Sequence, residues 1–404
     1  MISVIAWRNI WRHRIRSLVI ICAAALGLWG GIFILGLSKG ISLQRKEDVI
    51  KSQLSHIQIH NPKYLEEKEI KYFIEEGGQL ISYMQNHELV EAATGRVIVN
   101  GMAASATGAT GVMIYGIIPE YEKYVTNMYS KIAEGNYFED KVRNPIVIGK
   151  ELAKKRNLKL KSKIILTFQD TSGNLISAAF KVAGIYKTIS PKFDESVVFT
   201  LASDLGKLTS TENYYQEIAI ILGPHANLDF TANTFKSNYP GLKIRTWKDI
   251  SPELKYIDEM LDLNLYIIIG IILLALTFGL INTMLMAVLE RVHELGMLMA
   301  IGMNKLKLFF MILFETSYLA FTGGLLGMIL AYSTNAYFQK NGIDLSFVQQ
   351  GFEEFGMSPV IYPVLEFSYY PILAIMIFVF AVISAIYPAI KALQLKPSEA
   401  IRKI

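Results

Sequence analysis

The amino-acid sequence predicts a membrane α-helical protein with four transmembrane helices and a large α+β extracytoplasmic domain between helices 1 and 2. Three observations lead to this fold class. The 404 residues are 52% hydrophobic and 19% charged, whereas soluble domains carry about 25% charged residues. The apolar residues are concentrated in four long runs, and Lys and Arg cluster beside these runs. Residues 39–262, between the first two runs, are numerous enough for a folded domain of their own.

Each apolar run is long enough to cross a bilayer, whose hydrocarbon core is about 30 Å thick and requires roughly 20 helical residues. Three of the runs contain no charged residue, and the remaining one contains only Glu315. The predicted transmembrane helices are TM1 at 17–38, TM2 at 263–289, TM3 at 308–332 and TM4 at 367–390.

Residues 1–16 predict an amphipathic helix that lies on the cytoplasmic membrane surface. Val4, Trp7, Trp11 and Ile15 share one helical face, and arginines recur every fourth residue on another face. Trp and Arg at this spacing are typical of a helix in the headgroup region. A positively charged segment that merely flanks a transmembrane helix would explain the arginines but not the paired tryptophans. TM1 exceeds the about 7–15 apolar residues of a signal peptide, so we expect an uncleaved anchor.

The distribution of Lys and Arg in the short loops predicts that both termini are cytoplasmic. Basic residues are frequent before TM1, in the loop 290–307 and in the tail 391–404. The loop 333–366 instead carries Lys340 against a surplus of Asp and Glu. This difference predicts that residues 39–262 and the short loop 333–366 lie outside the cytoplasm.

Residues 39–262 alternate strand-like and helix-like segments, which predicts an α+β domain. A tight turn at 170–174 predicts a hairpin, and residues 247–262 predict a stalk helix that runs directly into TM2. Residues 64–137 show no clear pattern. The predicted strands are 145–149, 163–169, 178–185, 196–200 and 217–222, and the predicted helices are 150–156, 228–239 and 247–262.

Several chemistries find no support in the sequence. The one cysteine, Cys22, lies in TM1 and cannot form an internal disulfide. The chain has no phosphate-binding Walker A pattern and no HExxH, GxSxG or CxxC motif. We therefore expect no catalytic site, no metal and no cofactor. The net charge is +5, and the basic residues cluster beside the apolar runs. We therefore expect contact with membrane lipids and not with nucleic acid.

Two polar features leave alternatives open. His56, Gln58 and His60 would share one face of a strand, which allows a metal site, although a polar strand face above an apolar one is the simpler interpretation. Glu315 lies inside TM3, where a carboxylate is costly. Because it follows Lys307 by only about two turns, we expect it to pair near the cytoplasmic interface, with a proton relay as the alternative.

Small residues recur every fourth position in two of the predicted transmembrane helices. Ala23, Gly27 and Gly31 do so in TM1, and Gly323 and Gly327 do so in TM3. Small side chains at this spacing let helix backbones approach closely. We interpret these residues as a helix-packing or substrate interface.

The loop 290–307 combines charge with flexible apolar side chains. Its charged residues Glu290, Arg291 and Glu294 are expected to be exposed, next to Leu295 and several methionines. A short helix of this composition is suited to docking in a groove of a partner protein. The alternative is a solvated turn between two transmembrane helices.

Three groups of residues resemble the signature of a transporter family. The loop matches E-R-x-x-E-[IL]-G-x-[LM]-x-A-[LI]-G, TM3 matches E-x(7)-G-G-x-x-G, and the C-terminal part matches YPA followed by P-x-E-A-[LI]-R. With these motifs the chain resembles ABC transporter permeases of the MacB/FtsX/LolC-LolE class. The matching residues are Glu290, Arg291, Glu294, Leu295, Gly296, Ala300, Ile301, Gly302, Glu315, Gly323, Gly324, Gly327, 387–389 and 395–402.

The resemblance implies a permease of the bacterial inner membrane without an ATPase site of its own. A separate ABC ATPase dimer would bind the loop, and the motion would pass through TM1, TM2 and the stalk to a MacB-like periplasmic domain. A second copy of the permease, or a related one, would complete the complex. The residues implied to couple to the ATPase are Glu290, Arg291, Glu294, Leu295, Gly296, Ala300 and Gly302.

Within this class the sequence is most similar to the lipoprotein-releasing, LolC/LolE-like branch. The similar segments are 6–11, 36–40, 55–62 and 146–153. They imply lipoprotein release toward the outer membrane and a periplasmic lipoprotein carrier as a partner. The tight turn at 170–174, however, stands where LolC has a long hairpin arm that recruits this carrier. The alternatives are a MacB-like exporter of peptides or antibiotics and an FtsX-like mechanotransmitter that regulates a cell-wall hydrolase.

Overall fold

The computed structural model describes residues 2–12, 14–138, 142–211, 213–348 and 358–394. The chain forms two compact units. The helical unit comprises Met1–Leu43, Glu259–Ser346 and Val360–Ile404, and the sheet unit comprises Gln44–Asp258 and Phe347–Pro359. The motif at 395–402, and with it most of the predicted tail, lies outside the described residues.

The described residues form both long apolar helices and short helices. A π-helical turn (Ile50–Leu54) follows the second helix, and 3-10 turns lie at Asn127–Lys131 and Ser346–Val348. In chain order the α-helices are α1 (Ile2–Arg12), α2 (Arg14–Val49), α3 (Pro62–Glu67), α4 (Gly77–Gln85), α5 (Pro119–Val125), α6 (Lys150–Lys155), α7 (Pro191–Ser196), α8 (Ala202–Thr209), α9 (Leu228–Asn238), α10 (Trp247–Ile250), α11 (Pro252–Glu290), α12 (Val292–Ala300), α13 (Lys305–Asn341) and α14 (Tyr369–Leu393).

Within the described part of the chain, four helices are long and apolar enough to cross a membrane, which confirms the four predicted transmembrane helices. They are α2, α11, α13 and α14, and each contains one of the predicted apolar runs. The first three continue well beyond the predicted limits. The apolar run marks only the part that suits a bilayer, whereas a helix ends where its backbone hydrogen bonds end.

Two predicted helices have different limits in the structure. The amphipathic helix predicted for 1–16 is α1, which ends at Arg12, and α2 already begins at Arg14. The stalk predicted for 247–262 is wrong as one continuous helix, because Ser251, with φ −122° and ψ 85°, separates α10 from α11. Pro252 explains the break, since a proline disfavours helical geometry in the residue before it.

Apolar contacts hold the four long helices of the helical unit together. One buried cluster joins Leu28 of α2, Leu273 of α11 and Ala331 of α13 with residues of α14. Helix α11 is the least covered, with 17% of its most apolar segment buried. Its exposed side chains include Ile271 and Phe278. This helix therefore offers a long apolar face to lipid or to another molecule.

The described residues of the sheet unit form a ten-stranded sheet. Its strand order is β10-β1-β9-β2-β3-β8-β5-β7-β4, and β6 pairs with β2 and β7. In chain order these strands are β1 (Ile57–His60), β2 (Val90–Ser105), β3 (Gly108–Ile117), β4 (Ile132–Gly135), β5 (Pro145–Gly149), β6 (Lys163–Gln169), β7 (Leu175–Tyr186), β8 (Val197–Leu201), β9 (Glu217–Leu222) and β10 (Lys243–Thr246), and a separate pair, β11 (Ile343–Asp344) and β12 (Val360–Ile361), lies in the helical unit.

The prediction of an α+β domain is confirmed, and several strands coincide with the predicted ones. The strands predicted at 145–149, 163–169 and 217–222 are β5, β6 and β9. The hairpin turn is also present, because the amide of Asp170 donates to the carbonyl of Asn174 at 3.0 Å. The unassigned region 64–137 contains β2, the longest strand, which pairs first with β9 and further along with β3 and β6.

A buried ionic cluster lies where β2 and β9 meet. Arg96 of β2 is 2% exposed. Its Nε and Nη2 donate to Glu122 at 3.1 and 2.7 Å, and its Nη1 donates to Glu217 of β9 at 2.6 Å. Nε2 of His60 lies 3.7 Å from Oε2 of Glu217, and burial lowers the pKa of its imidazole. Arg96 is thus the permanent cation that both carboxyl groups contact.

Candidate functional site

Helix α12 occupies the loop between the second and third transmembrane helices, and Arg291 fixes its first turn. Arg291 and Glu315 are 8% and 5% exposed. Nη1 of Arg291 donates to both carboxylate oxygens of Glu315 at 3.0 Å, and its Nε donates to Glu294 at 3.0 Å. The predicted exposure of Arg291 is therefore wrong, because the buried carboxylate of Glu315 requires a cation. The predicted pairing of Glu315 is confirmed, with Arg291 as its partner.

The remainder of the segment has one buried face and one exposed face. Leu295 and Gly296 are buried, and Leu295 belongs to the same apolar cluster as Leu308 of α13. Met297 is 47% exposed and Ile301 is 78% exposed. We call a group of five exposed residues of this segment the α12 face, namely Glu290, His293, Met297, Ala300 and Ile301. The α12 face combines charge with apolar side chains at helical spacing.

Gly302 ends this segment for a conformational reason. Its φ of +99° is strained for residues that carry a Cβ. The amide of Gly302 donates to the carbonyl of Met299 at 3.1 Å, and the amide of Met303 donates to that of Leu298 at 3.0 Å. These bonds satisfy carbonyls at the end of the helix, so glycine suits this position better than other residues.

Helix α1 contacts both α13, the third transmembrane helix, and α12. Its buried residues Ala6 and Ile10 pack into the cluster that includes Met311 of α13. Arg12 Nη2 lies 3.7 Å from Glu294 Oε1 of α12. The predicted interfacial face is exposed, including Trp7 and Trp11. Helix α1 therefore contacts both neighbours and keeps an apolar face available for the membrane.

An apolar groove of about 510 Å³ lies between α2 and α11. On the α2 side it is lined by Ala23, Gly27 and Gly31 of the predicted interface. A Cβ at Gly27 would lie 3.0 Å from Leu276, and one at Gly31 would lie 2.8 Å from Ile272 of α11. The small residues therefore shape the wall of this groove, which we call the α2–α11 groove.

The other two predicted small residues serve a different contact. A Cβ at Gly323 of α13 would lie 2.9 Å from Ala24 Cβ of α2, and one at Gly327 would lie 2.7 Å from the carbonyl oxygen of Ala25. Neither glycine lines the α2–α11 groove. Ala23, Gly27 and Gly31 of α2 thus line the groove shared with α11, whereas Gly323 and Gly327 of α13 pack against α2.

The two histidines considered as metal ligands each contact other groups of the sheet unit. Nδ1 of His60 lies 3.0 Å from the carbonyl of Gln216, and its Nε2 lies 3.1 Å from Oε1 of Gln58. Nδ1 of His56 accepts from the amide of Leu222 at 2.9 Å. Among the described residues no group of three His, Cys, Asp or Glu side chains is placed to hold a metal ion. His60 lies in β1, whereas His56 directly precedes this strand.

Several residues that contact the predicted site residues were not predicted from the sequence. The sequence did not identify Ile272 and Leu276 as the second wall of the groove, or Arg12 as a contact of Glu294. Glu315 was the one available signal, because an acid in an apolar run requires a cation nearby. Its sequence position alone does not identify that cation as Arg291.

Two family models match most of the chain. The model described as MacB-like periplasmic core domain matches residues 17–236, and the model described as FtsX-like permease C-terminal matches residues 266–397. Together they cover the α2–α11 groove, α12 and most of the sheet unit.

Several relatives align along nearly the whole chain. The lipoprotein-releasing system transmembrane protein LolC of Neisseria meningitidis serogroup B is 22% identical over 406 residues, which covers 96% of this chain and 94% of that protein. An uncharacterised ABC transporter permease of Methanocaldococcus jannaschii is 24% identical over 417 residues, which covers 98% of this chain and 96% of that protein. Among solved structures, the periplasmic region of MacB from Actinobacillus actinomycetemcomitans matches with a TM-score of 0.36 and 14% identity, covering 54% of this chain and 98% of that one.

Proposed function

Because this chain belongs to the MacB/FtsX/LolC family of ABC transporter permeases, we propose that it transmits ATP-driven motion across the bacterial inner membrane to release lipoproteins toward the outer membrane. A separate ABC ATPase dimer hydrolyses the ATP, and a second permease copy or a related permease completes the complex. Both termini and α12 lie in the cytoplasm, and residues 39–262 lie in the periplasm. A periplasmic lipoprotein carrier receives the cargo.

The α12 face is the docking surface for the ATPase in this proposal. Its exposed Met297 and Ile301 supply adaptable apolar contacts, and Glu290 supplies charge. The Arg291–Glu315 pair ties the start of α12 to α13. A displacement of α12 is therefore transmitted to a transmembrane helix by a buried ion pair and not by a flexible loop.

The observation that carries the lipoprotein proposal is the α2–α11 groove. Its α2 wall extends from Ile20 to Ile34, about 21 Å of helix, whereas one leaflet of the hydrocarbon core is about 15 Å thick. The groove can therefore hold the acyl chains of one leaflet along their length. The full-length similarity to LolC favours a lipoprotein as their source.

A second candidate is a MacB-like exporter of another amphipathic cargo. The observation that favours it is the tight turn between β6 and β7, closed by Asp170 and Asn174. A long arm for a lipoprotein carrier is absent from this hairpin, so transfer to such a carrier would need another surface of the sheet unit.

Changing the charge of the α12 face tests whether this face couples the permease to the ATPase. We expect Glu290→Lys combined with Met297→Asp to lower permease-dependent ATP turnover by about tenfold, since losing about 1.4 kcal/mol of docking energy has this effect. The measurement is ATP hydrolysis by the purified ATPase with the full-length permease in vesicles. Lys340→Glu, an exposed reversal near the other end of α13, is the control. Unchanged turnover in the double variant would remove the α12 face from this role.

Photocrosslinking in the α2–α11 groove tests the cargo. A photoreactive residue in place of Leu26, which lines the groove and is 59% exposed, is expected to capture a lipoprotein in cells. The same residue in place of Phe310, which is exposed on α13, is the control and should capture far less. Capture of peptides without lipid chains at Leu26 would favour the exporter, and capture of neither class would contradict a cargo role for the groove.

A further inference from the structure

A second apolar groove, of about 390 Å³, lies in the helical unit between α1, the beginning of α2 and α13. We call it the α1 groove. Trp7 and Trp11 of α1, Leu18 and Cys22 of α2, and Tyr318 of α13 line it. The Trp7 and Tyr318 rings meet edge to face with centroids 5.7 Å apart, and Trp7 makes a similar contact with Trp11. These aromatic contacts give the groove a defined wall.

One cation lies at the end of this apolar surface. Arg14 lines the α1 groove and is exposed. Its guanidinium makes no hydrogen bond or ion pair with another described residue, whereas the guanidinium of Arg12 is paired with Glu294. The hydroxyl of Ser17, also in the lining, already donates to the carbonyl of Ile10 at 2.8 Å. Among the described residues that line the groove, Arg14 is therefore the charged side chain available to a ligand.

The arrangement of charge and apolar surface matches an anionic amphiphile. From Arg14 to Cys22 the groove follows α2 for about 12 Å, which is within one leaflet of about 15 Å. A headgroup phosphate at Arg14 would therefore leave its acyl chain beside Leu18 and Cys22. Free phosphate would not fill the apolar part, and an uncharged apolar ligand would leave the guanidinium unpaired.

We propose that the α1 groove is a binding site for an anionic phospholipid, with the phosphate at Arg14 and an acyl chain between α1, α2 and α13. This lipid is not the transported cargo, because the α2–α11 groove lies on a different side of α2. The bound lipid fills the space between α1 and α13 and so holds α1, together with its Arg12–Glu294 contact, in place. The site does not depend on which cargo the permease carries.

Cys22, the single cysteine of the chain, provides a direct probe, because an acyl chain in the groove would cover its thiol. The full chain is reconstituted in vesicles of phosphatidylcholine alone or of phosphatidylcholine mixed with phosphatidylglycerol. The rate of Cys22 alkylation by an apolar, membrane-permeant maleimide is then measured. We expect phosphatidylglycerol to slow alkylation about fivefold, the factor that corresponds to about 1 kcal/mol for one basic side chain at an anionic surface.

Three variants at two arginine positions separate a specific site from general surface attraction. Arg14→Gln should abolish the slowing, and Arg14→Lys should retain most of it because the charge remains. Arg8→Gln, an exposed arginine of α1 outside the groove, should behave like the unmodified chain. Arg14 is exposed, so none of these changes removes a buried contact, and gel filtration checks that each variant remains folded.

Three outcomes would overturn the proposal. The first is an unchanged alkylation rate of the unmodified chain in phosphatidylglycerol. The second is a slowing of Arg14→Gln as strong as that of the unmodified chain. The third is a loss of the effect in Arg8→Gln as complete as in Arg14→Gln. Protection of Cys22 that depends on protein density in phosphatidylcholine alone would instead assign the groove to a second copy of the chain. None of these results bears on ATPase coupling or on the cargo, so the transport proposal is tested separately.

Discussion

Replacing Arg291 by Leu is expected to lower the free energy of unfolding by about 3–5 kcal/mol, because it leaves the buried carboxylate of Glu315 without its cation. The same change releases the first turn of α12 from α13, so permease-dependent ATP turnover should fall as well. The stability change is measured by reversible unfolding of the full chain in mixed detergent micelles. Lys305→Leu, which removes an exposed cation at the start of α13, should change stability by less than about 0.5 kcal/mol.

A double variant separates the charge from the contact. Arg291→Leu combined with Glu315→Leu removes both buried charges, and such replacements are often neutral for stability. We therefore expect the double variant to recover most of the lost stability while its ATPase coupling remains low. If the single variant were as stable as the unmodified chain, the ion pair would not be the element that fixes α12. If the double variant coupled normally, apolar packing of Leu295 alone would position the helix.

Replacing Arg96 by Met is expected to destabilise the sheet unit by a similar amount, about 3–5 kcal/mol. The change leaves Glu122 and Glu217 facing each other without the cation that both contact. Because β2 and β9 meet at this cluster, their amide protons should exchange at least about a hundredfold faster, since each 1.4 kcal/mol corresponds to a factor of ten. Hydrogen exchange of the full chain, resolved by peptide, measures this effect.

Matched changes test whether the cluster itself is responsible. Arg96→Lys keeps one charge but cannot form the forked bonds to Glu122 and Glu217, so its exchange rates should lie between those of Met and Arg. Arg143→Met removes an exposed arginine of the same unit and should leave β2 and β9 protected. Exchange in α13 should be unaffected by all three changes. Equal exchange in the Met and Lys variants would show that the buried charge does not hold these strands.

The sequence alone determined the four transmembrane helices and the family motifs around α12. An apolar run of about 20 residues is a local property, and little besides a membrane helix accommodates it. The hairpin turn at 170–174 and strands such as β9 were also predictable, because turn chemistry and strand patterns act over a few residues. The break at Ser251 also has a local cause, which is Pro252. The prediction of a continuous stalk did not take this proline into account.

Only the tertiary structure decided which distant groups meet. It turned Arg291 from an expected surface charge into the buried partner of Glu315, 24 residues further along. It brought Arg96 to Glu217 across 121 residues, and it placed Gly27 and Gly31 along a groove but Gly323 and Gly327 against α2. Local patterns depend on near neighbours in the chain, whereas the partner of a buried charge or a small residue depends on which elements pack together, and that choice is made by the whole core.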